Sequence, residues 1–529
     1  MTVSPDNPTL ILDRLTKLHP KLIDLGLERT IQLSKKCGAP HLHLPPVIHI
    51  AGTNGKGSVS AFLRSMAEAA GLSCHVYNSP HLCRFNERIR LNGKFISNDE
   101  LIDVLSEVEG VNGSDPITFF ESTTVAAFLA FSRHPADLLI LETGLGGIFD
   151  STNIVPDTAC TIITPIAFDH EQFLGSDIAT IARQKAGIMR AGRPSIWARQ
   201  QPEAYAQLQQ QARQLCVYVQ TEGEDFQVIA TASGGLSLKA GSDTITTPPL
   251  SLYGHHQIQN AALALMALKG SGLVTDLAVA AEGAGQADWP ARVQKLKDGH
   301  LTQLAGRTIW LDGAHNVHGA RALVASLSSL YPRKWTIIFG ALNTRPADEF
   351  LSIIKPVTDR IYCLTIPDQP AALKSGTLVS RARSLGLKAD GLCGPSTYRR
   401  IWTEREANVS SSIIGAIKHD VISRGDKHIV HNGKFLDIDW DKVVLWDEPG
   451  GLASNYGTFY NYAGKEDRKP TFFVNHWDVC LSAKSCSSIL DRRGISVHFC
   501  IDNDGTIYQL LDTQHGAWHA GGQEWNRKS

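Results

Sequence analysis

Residues 47–59 constrain the chain more than any other stretch. An apolar run, Val47-Ile48-His49-Ile50, enters a turn with glycines at 52, 55 and 57, and Val59-Ser60-Ala61-Phe62-Leu63 beyond it has helical character. This order predicts a strand, a phosphate loop and a helix. Glycine lets backbone N–H groups curl around phosphate oxygens without Cβ clashes, and the helix start adds a positive dipole end. Lys56 supplies a point charge, and Ser58 a hydroxyl for a phosphate or a metal. The common pattern is G-x-x-x-x-G-K-[ST]. Here Ala51 holds the place of the first glycine, and Gly57 separates Lys56 from Ser58. The alternative is a plain glycine-rich strand-to-helix turn, but a lysine in such a turn has no packing reason to be there.

A loop of this kind belongs at the carboxyl edge of a parallel sheet, and the chain supplies further strands. Ser73–Tyr77 leads into the turn Asn78-Ser79-Pro80-His81-Leu82, at the strand end where ligands bind in open α/β sheets. Asp137–Glu142 is apolar until its final carboxylate, and Thr143-Gly144-Leu145-Gly146-Gly147 follows. Glu142 therefore sits where a Mg²⁺-organising group belongs, with a surface carboxylate as the alternative. Cys160–Thr164 delivers Asp169-His170-Glu171. Residues 8–36 are helical in pattern, with a turn at His19-Pro20. Residues 117–132 read as a buried helix whose polar start either caps it or meets a ligand. Asn260 falls early in another apolar helix. From spacing alone, Lys185 reads as a solvated helix residue. The alternation over 47–270 predicts a parallel sheet with helices on both faces. A second, smaller α/β unit begins near Trp289-Pro290-Ala291-Arg292. Its strands are Thr308–Leu311, Trp335–Gly340 and Arg360–Leu364, and Asp312-Gly313-Ala314-His315-Asn316 forms the exit turn of the first.

Length and composition are consistent with this. A chain of 529 residues suggests two to four domains, and 43% hydrophobic with 19% charged residues suits a soluble protein with ample core. A net charge of −1 implies no bulk attraction to nucleic acid or an anionic membrane. No apolar stretch reaches membrane-spanning length, and the first residues lack a secretory pattern. Ten cysteines without a C-x-x-C pair read as reduced thiols, so the expected location is the cytoplasm.

Taken in order, the motifs Gly52–Ser58, Ser79–Leu82, Phe120-Glu121, Glu142–Gly147, Asp169-His170, Lys185-Ala186-Gly187-Ile188 and Asp312–Asn316 resemble the folylpolyglutamate synthase/dihydrofolate synthase group of the Mur ligase superfamily. The resemblance runs from about residue 8 to 390. It implies an ATP-dependent ligase that joins L-glutamate to dihydropteroate, to a folate, or to both through an acyl phosphate. By resemblance, Asn54, Gly55, Lys56, Gly57, Ser58, Asn260, Arg292 and Asp312 bind ATP. Ser79, Glu142 and His170 hold Mg²⁺, and a carboxylated Lys185 serves a second Mg²⁺ site. Lys56, Lys185, His170 and His315 carry the chemistry, while Phe119, Phe120, Glu121, Ser122, Phe149, Asp150 and Ser151 form the pterin pocket. The group's exit turn continues Asn-Pro where this chain has Asn316-Val317; a small local effect is expected. The resemblance further implies a monomer whose small domain closes on the large one.

Past residue 390 the pattern changes, and no closing strand of the small domain is recognisable. Residues 470–522 instead resemble the start of an N-acetylmuramoyl-L-alanine amidase of the zinc type, through Phe473-Val474-Asn475-His476, Gly494–Phe499, Ile501–Gln509 and Ala517–Gly521. His476 matches the first zinc ligand. The catalytic glutamate and two further ligands of that family would lie beyond Ser529, so a Zn²⁺ site is expected to be incomplete. The predicted architecture is a P-loop parallel-sheet ATP-binding domain (1–285), a smaller α/β Mur-ligase C-terminal domain (286–392), a junction (393–420) and an incomplete α+β amidase-like segment (421–529). A cell-wall amidase or binding segment, or an inactive chimera, is the alternative to the ligase.

Overall fold

The computed structural model describes residues 8–19, 24–366 and 369–391, together with short strands between residues 428 and 517. The chain divides into two compact units, 1–402 and 403–529. In the first, eight strands form one sheet: β1 Val47–Ala51, β2 Cys74–Tyr77, β3 Ile89–Leu91, β4 Lys94–Phe95, β5 Leu138–Glu142, β6 Cys160–Ile163, β7 Pro194–Trp197 and β8 Tyr218–Thr221. Their order is β4-β3-β2-β5-β1-β6-β7-β8. From β2 to β8 every pairing is parallel, with Ile50 beside Glu142 and Tyr77 beside Leu141. The ends of β1, β2, β5 and β6 thus open on one edge.

The apolar run of β5 follows from burial on both faces. Leu138 and Ile140 join Phe62, Met66 and Leu263 under helices Lys56–Ala69 and His256–Ser271. Leu139 and Leu141 join Tyr77, Val104 and Phe128 under helices Asn98–Asn112 and Phe119–Arg133. Each fully buried Leu, Phe or Met contributes about 1.5–3 kcal/mol.

Three expectations need correction. The large sheet is not wholly parallel: β3 and β4 form an antiparallel edge hairpin. Strands β9 Phe226–Ala230, β10 Leu236–Ala240 and β11 Asp243–Thr246 make a separate antiparallel sheet, because tight turns join them without a crossover helix. The segment Thr308–Leu311 is not a strand of the small sheet. Only Trp310–Leu311 (β13) is extended, and it pairs antiparallel with Gln294–Lys295 (β12). The small sheet is β14 Trp335–Phe339, β15 Thr358–Cys363 and β16 Ala389–Asp390, all parallel. Its core packs Phe350, Leu351, Ile361 and Leu378 against helices Val317–Leu330, Ala347–Ile354 and Ser375–Ser384. The strand β16 escaped the sequence pattern because two residues carry no periodicity. The question of a closing strand after 392 lies outside the described residues.

Candidate active site

A cleft of about 490 Å³ opens along the carboxyl edge of the large sheet, and the small α/β unit supplies its opposite wall. Its floor is the glycine-rich loop. Helix Lys56–Ala69 begins at Gly55, whose φ of 95° is left-handed, and no side chain caps it. By contrast, Thr118 and Glu121 cap helix Phe119–Arg133 reciprocally, the Thr118 N–H donating to Glu121 Oε2 at 2.7 Å. The uncapped start leaves backbone N–H groups facing the cleft for an anion. Gly57 explains the departure from the common motif. A Cβ there would lie 2.7 Å from the indole of Trp289, so the residue between Lys56 and Ser58 cannot carry a side chain. Gly57→Ala is expected to destabilise the protein by about 1–3 kcal/mol. The same change in a Trp289→Ala background should cost clearly less, as denaturant midpoints would reveal.

Around this loop the polar groups are arranged by charge. Lys56 Nζ lies 3.9 Å from Glu142 Oε1, and it donates to the Gly52 carbonyl at 3.3 Å. Glu142 is 4% exposed, and its Oε2 is buried without a hydrogen-bond partner. Burial raises its pKa to about 7 against the pull of Lys56, Arg292 and the Ser79 N–H. Lys185 is buried, not solvated as its spacing suggested: it is 4% exposed, with Nζ donating to Gly52 O at 2.8 Å. Burial, then the Lys56 charge, holds its pKa well below that of an ordinary lysine. His170 stands in a left-handed conformation (φ 52°), the kind of backbone strain that clusters at functional sites. Its pKa falls to about 4 through burial and the charges of Lys56, His315 and Lys185, so the ring is neutral.

An orphaned carboxylate oxygen, a serine hydroxyl and a neutral imidazole on one cleft make a donor set suited to a hard divalent cation. Glu142, Ser79 and His170 all line it, so the residues fit Mg²⁺ or Mn²⁺. Among the described residues no three His, Cys, Asp or Glu side chains cluster as a metal site by themselves. Water, substrate oxygens and the serine would complete the coordination.

The two walls meet through Asn54 and Asp169. Asn316 caps helix Val317–Leu330, its Oδ1 accepting from the Gly319 N–H at 2.8 Å, so Val317 takes the first helical position without disturbing the turn. The Asn316 amide then donates to Asn54 Oδ1 and to Asp169 Oδ2, both at 3.1 Å. Asp169 also pairs with Arg345, and Arg345 Nη2 lies 3.2 Å from His170 Nε2. Asp312 accepts from the Val293 and Ala314 N–H groups, both at 2.8 Å. Ala291 and Val293 flank Arg292 with φ of 55° and 44°, a strained link that turns Arg292 into the cleft.

Most of the residues singled out from sequence come together here. Asn54, Gly55, Lys56, Gly57, Ser58, Asn260, Arg292, Asp312 and His315 line the cleft, as do Phe120, Glu121, Phe149, Asp150 and Ser151. Two do not. Phe119 packs edge-on against Phe85 at 5.9 Å, behind the wall, and Ser122 is fully buried with its hydroxyl turned back to Thr118 O and Phe119 O. The helical period sends these two away from the face that carries Phe120 and Glu121. Glu121 serves twice, as the cap and as the partner of Arg29 at 3.0 Å. Asp169 and Asn316 stood in the sequence motifs without an assigned role, and Arg88, His318 and Arg345 were missed; each needs tertiary contacts to be recognised. His476 lies outside the described residues.

The chain matches known proteins in sequence and in fold. The Mur ligase middle domain matches residues 50–268, the Mur ligase glutamate ligase domain 296–422, and the N-acetylmuramoyl-L-alanine amidase domain 466–529. The chain is 34% identical over 354 residues to the dihydrofolate synthase/folylpolyglutamate synthase of Escherichia coli (strain K12), covering 66% of this chain and 80% of that one. The solved structure "E.coli FolC in complex with DHPP and ADP" superposes with a TM-score of 0.68 at 30% identity, covering 77% of this chain and 93% of that one. A bifunctional folylpolyglutamate synthase/dihydrofolate synthase with Mn, AMPPNP and L-glutamate bound gives 0.66 at 30%, covering 75% and 92%.

Proposed function

The chain belongs to the dihydrofolate synthase/folylpolyglutamate synthase family, and from that premise we propose how its own residues carry out glutamate ligation. The enzyme is an ATP-dependent ligase that joins L-glutamate to dihydropteroate and/or a folate. The observation that carries the reading is the cleft itself. An uncapped phosphate-binding helix start, a lysine and an orphaned buried carboxylate share it with an aromatic subsite.

The loop N–H groups of residues 54–58, with Lys56, hold the triphosphate, and Asn260, Arg292 and Asp312 hold the rest of the nucleotide from both walls. Ser79, Glu142 and His170 hold the divalent cation, which neutralises phosphate charge when bound. Phe120, Phe149, Asp150 and Ser151 take the pterin ring. The substrate carboxylate attacks the γ-phosphorus and ADP departs. The glutamate amine then attacks the carbonyl carbon, and phosphate leaves. Closure of the 286–392 unit on the 1–285 unit, through Asn54–Asn316 and Asp169–Arg345, keeps water from the acyl phosphate. A second cation site rests on carboxylated Lys185. Both walls come from one chain, which supports a monomer as the working unit. Among the described residues six cysteines form no disulfide and no helix is long and apolar enough to cross a membrane; the reduced thiols support a cytoplasmic enzyme. The amidase match is confined to 466–529, and the ligase reading uses none of it.

Incubation with Mg²⁺, ATP, L-glutamate and either dihydropteroate or a reduced folate should yield a product heavier by one glutamyl residue. No gain with either acceptor, from folded protein that binds ATP, would sink the reading.

Glu142 also fixes a pH dependence. Its folded pKa of about 7 lies above the ordinary 4.5. The stability it contributes is therefore full below 4.5 and is lost as pH rises through 7, so metal-free protein should lose melting temperature over that window. Mg²⁺ needs the anion, so its Kd should fall about tenfold per pH unit up to about 7 and then level off. His170, at about 4, stays neutral over most of that range. Glu142→Gln should flatten both curves. Titration calorimetry and thermal melts would decide it, and an unchanged slope in the variant would reject Glu142 as the titrating ligand.

A further inference from the structure

Arg88 ends the short 3-10 helix Phe85–Arg88 and lines the cleft, yet it is only 9% exposed. Its guanidinium lies over the Phe85 ring at 5.2 Å and the Phe119 ring at 5.7 Å. Its Nε–H donates to His81 Nδ1 at 2.9 Å. A guanidinium nitrogen can only donate, so His81 Nδ1 is the accepting nitrogen of this pair.

Arg88 has neutral partners, His81 and Tyr77, and the other cations of the cleft divide between carboxylates and backbone carbonyls. Lys56 faces Glu142, Lys185 donates to Gly52 O, Arg292 Nη1 donates to Ala291 O at 2.8 Å, and Arg345 pairs with Asp169. Among the described residues no carboxylate is in ion-pair contact with Arg88. A buried cation left so is costly unless a ligand supplies the anion. Its position specifies which anion. Arg88 feels the charge of the Glu142 carboxylate at the phosphate end, and it hydrogen-bonds the Tyr77 hydroxyl, whose ring lies 6.3 Å from that of Phe120. It therefore bridges the catalytic end and the ring subsite, where the carboxylate of a pteroate must lie to reach the γ-phosphorus.

We propose that Arg88 receives the reacting carboxylate of the pteroate or folate, and that His81 is the positioning residue that aims it. This rests on the ligase reading above. The guanidinium fork matches the two carboxylate oxygens, and each keeps a second lone pair with which to attack phosphorus once the nucleotide is bound. The ring stack and the His81 bond fix the fork beforehand, so little freedom is lost when substrate arrives.

The test compares binding of dihydropteroate and its carboxamide, which differ only in the charge Arg88 is meant to read. Wild-type protein should prefer the acid by about tenfold or more. Arg88→Met should lose that preference while binding the amide within about twofold of wild type, a pattern that mere unfolding of the loop would not give. Equal loss of both ligands, or a preference that survives in Arg88→Met, would overturn the proposal. For His81, His81→Leu should raise KM for dihydropteroate and lower kcat, and His81→Gln, whose amide oxygen still accepts from Nε–H, should restore both. No restoration by glutamine would overturn the positioning role. Wild-type protein that binds neither acid nor amide would refute the ligase reading itself, whereas equal wild-type affinity for the two would refute only the role of Arg88.

Discussion

Lys56→Ala is expected to lower kcat by about 10²–10³-fold, the size of effect seen when one preorganised charge donor is removed from a transition state. The reason is more than a lost contact with phosphate. Lys56 is the second-largest influence on three neighbours: it pulls the Glu142 pKa down, and it depresses those of Lys185 and His170. Removing it should therefore push Glu142 further above 7 and raise the other two. Glu142, the proposed cation ligand, would then be protonated more often at neutral pH, and the pH at which Mg²⁺ binding levels off should move upward together with the loss in kcat. Lys56→Arg should not rescue fully, because the guanidinium is planar and broad where the loop holds a compact ammonium against Gly52 O. Single-turnover measurement of ADP release, with Mg²⁺ titrations at several pH values, would check it. A variant that keeps its rate, or loses rate with an unshifted Mg²⁺ profile, would show that Lys56 does not organise the charges around it.

How much of this was legible in the sequence depended on whether a residue's role is local. The phosphate loop, the apolar β5 with its terminal Glu142, and the exit turn Asp312–Asn316 announce themselves because each combines a strand pattern with a chemistry-bearing end. The edge hairpin β3–β4 was not visible, since two- and three-residue strands have no period to detect. Lys185 misled for a related reason. On helix Ile178–Ala186 its neighbours Arg183 and Gln184 look solvated, and only the close approach of Gly147, whose Cβ would sit 2.5 Å from Gln184 O, shows that this end of the helix is pressed into the cleft. Phe119 and Ser122 erred the other way. They neighbour true wall residues in sequence, but the helical turn carries them behind the wall. Arg88 gives no sequence signal, because nothing local distinguishes a buried arginine without a carboxylate partner from an exposed one. The variant Lys56-Gly57-Ser58 order found its cause at Trp289, more than two hundred residues away.

The second large effect is expected at Lys185. A buried lysine amine, bonded to one carbonyl and held well below its ordinary pKa by burial and the Lys56 charge, gives up its proton more readily than an exposed one and so offers a free lone pair more often. It can add to carbon dioxide: the nitrogen lone pair forms an N–C bond, one C=O pair moves to oxygen, and the amine releases one proton. The resulting carbamate is an anion. It would answer the Lys56 charge, which otherwise repels a protonated Lys185, and it would offer oxygens to a second cation. Lys185→Ala should therefore cut kcat by about 10²–10³-fold. Unlike the Lys56 variant, it should recover part of that rate when acetate or another small carboxylic acid is added, because the cavity left by the side chain can admit a carboxylate in place of the carbamate. ¹³C-labelled bicarbonate should give a carbamate resonance in wild-type protein that is absent from the variant. If the labelled signal never appears, and acetate leaves the variant inert while its ATP affinity is intact, Lys185 acts as a plain amine beside Gly52, and the single cation site at Ser79, Glu142 and His170 must carry the reaction alone.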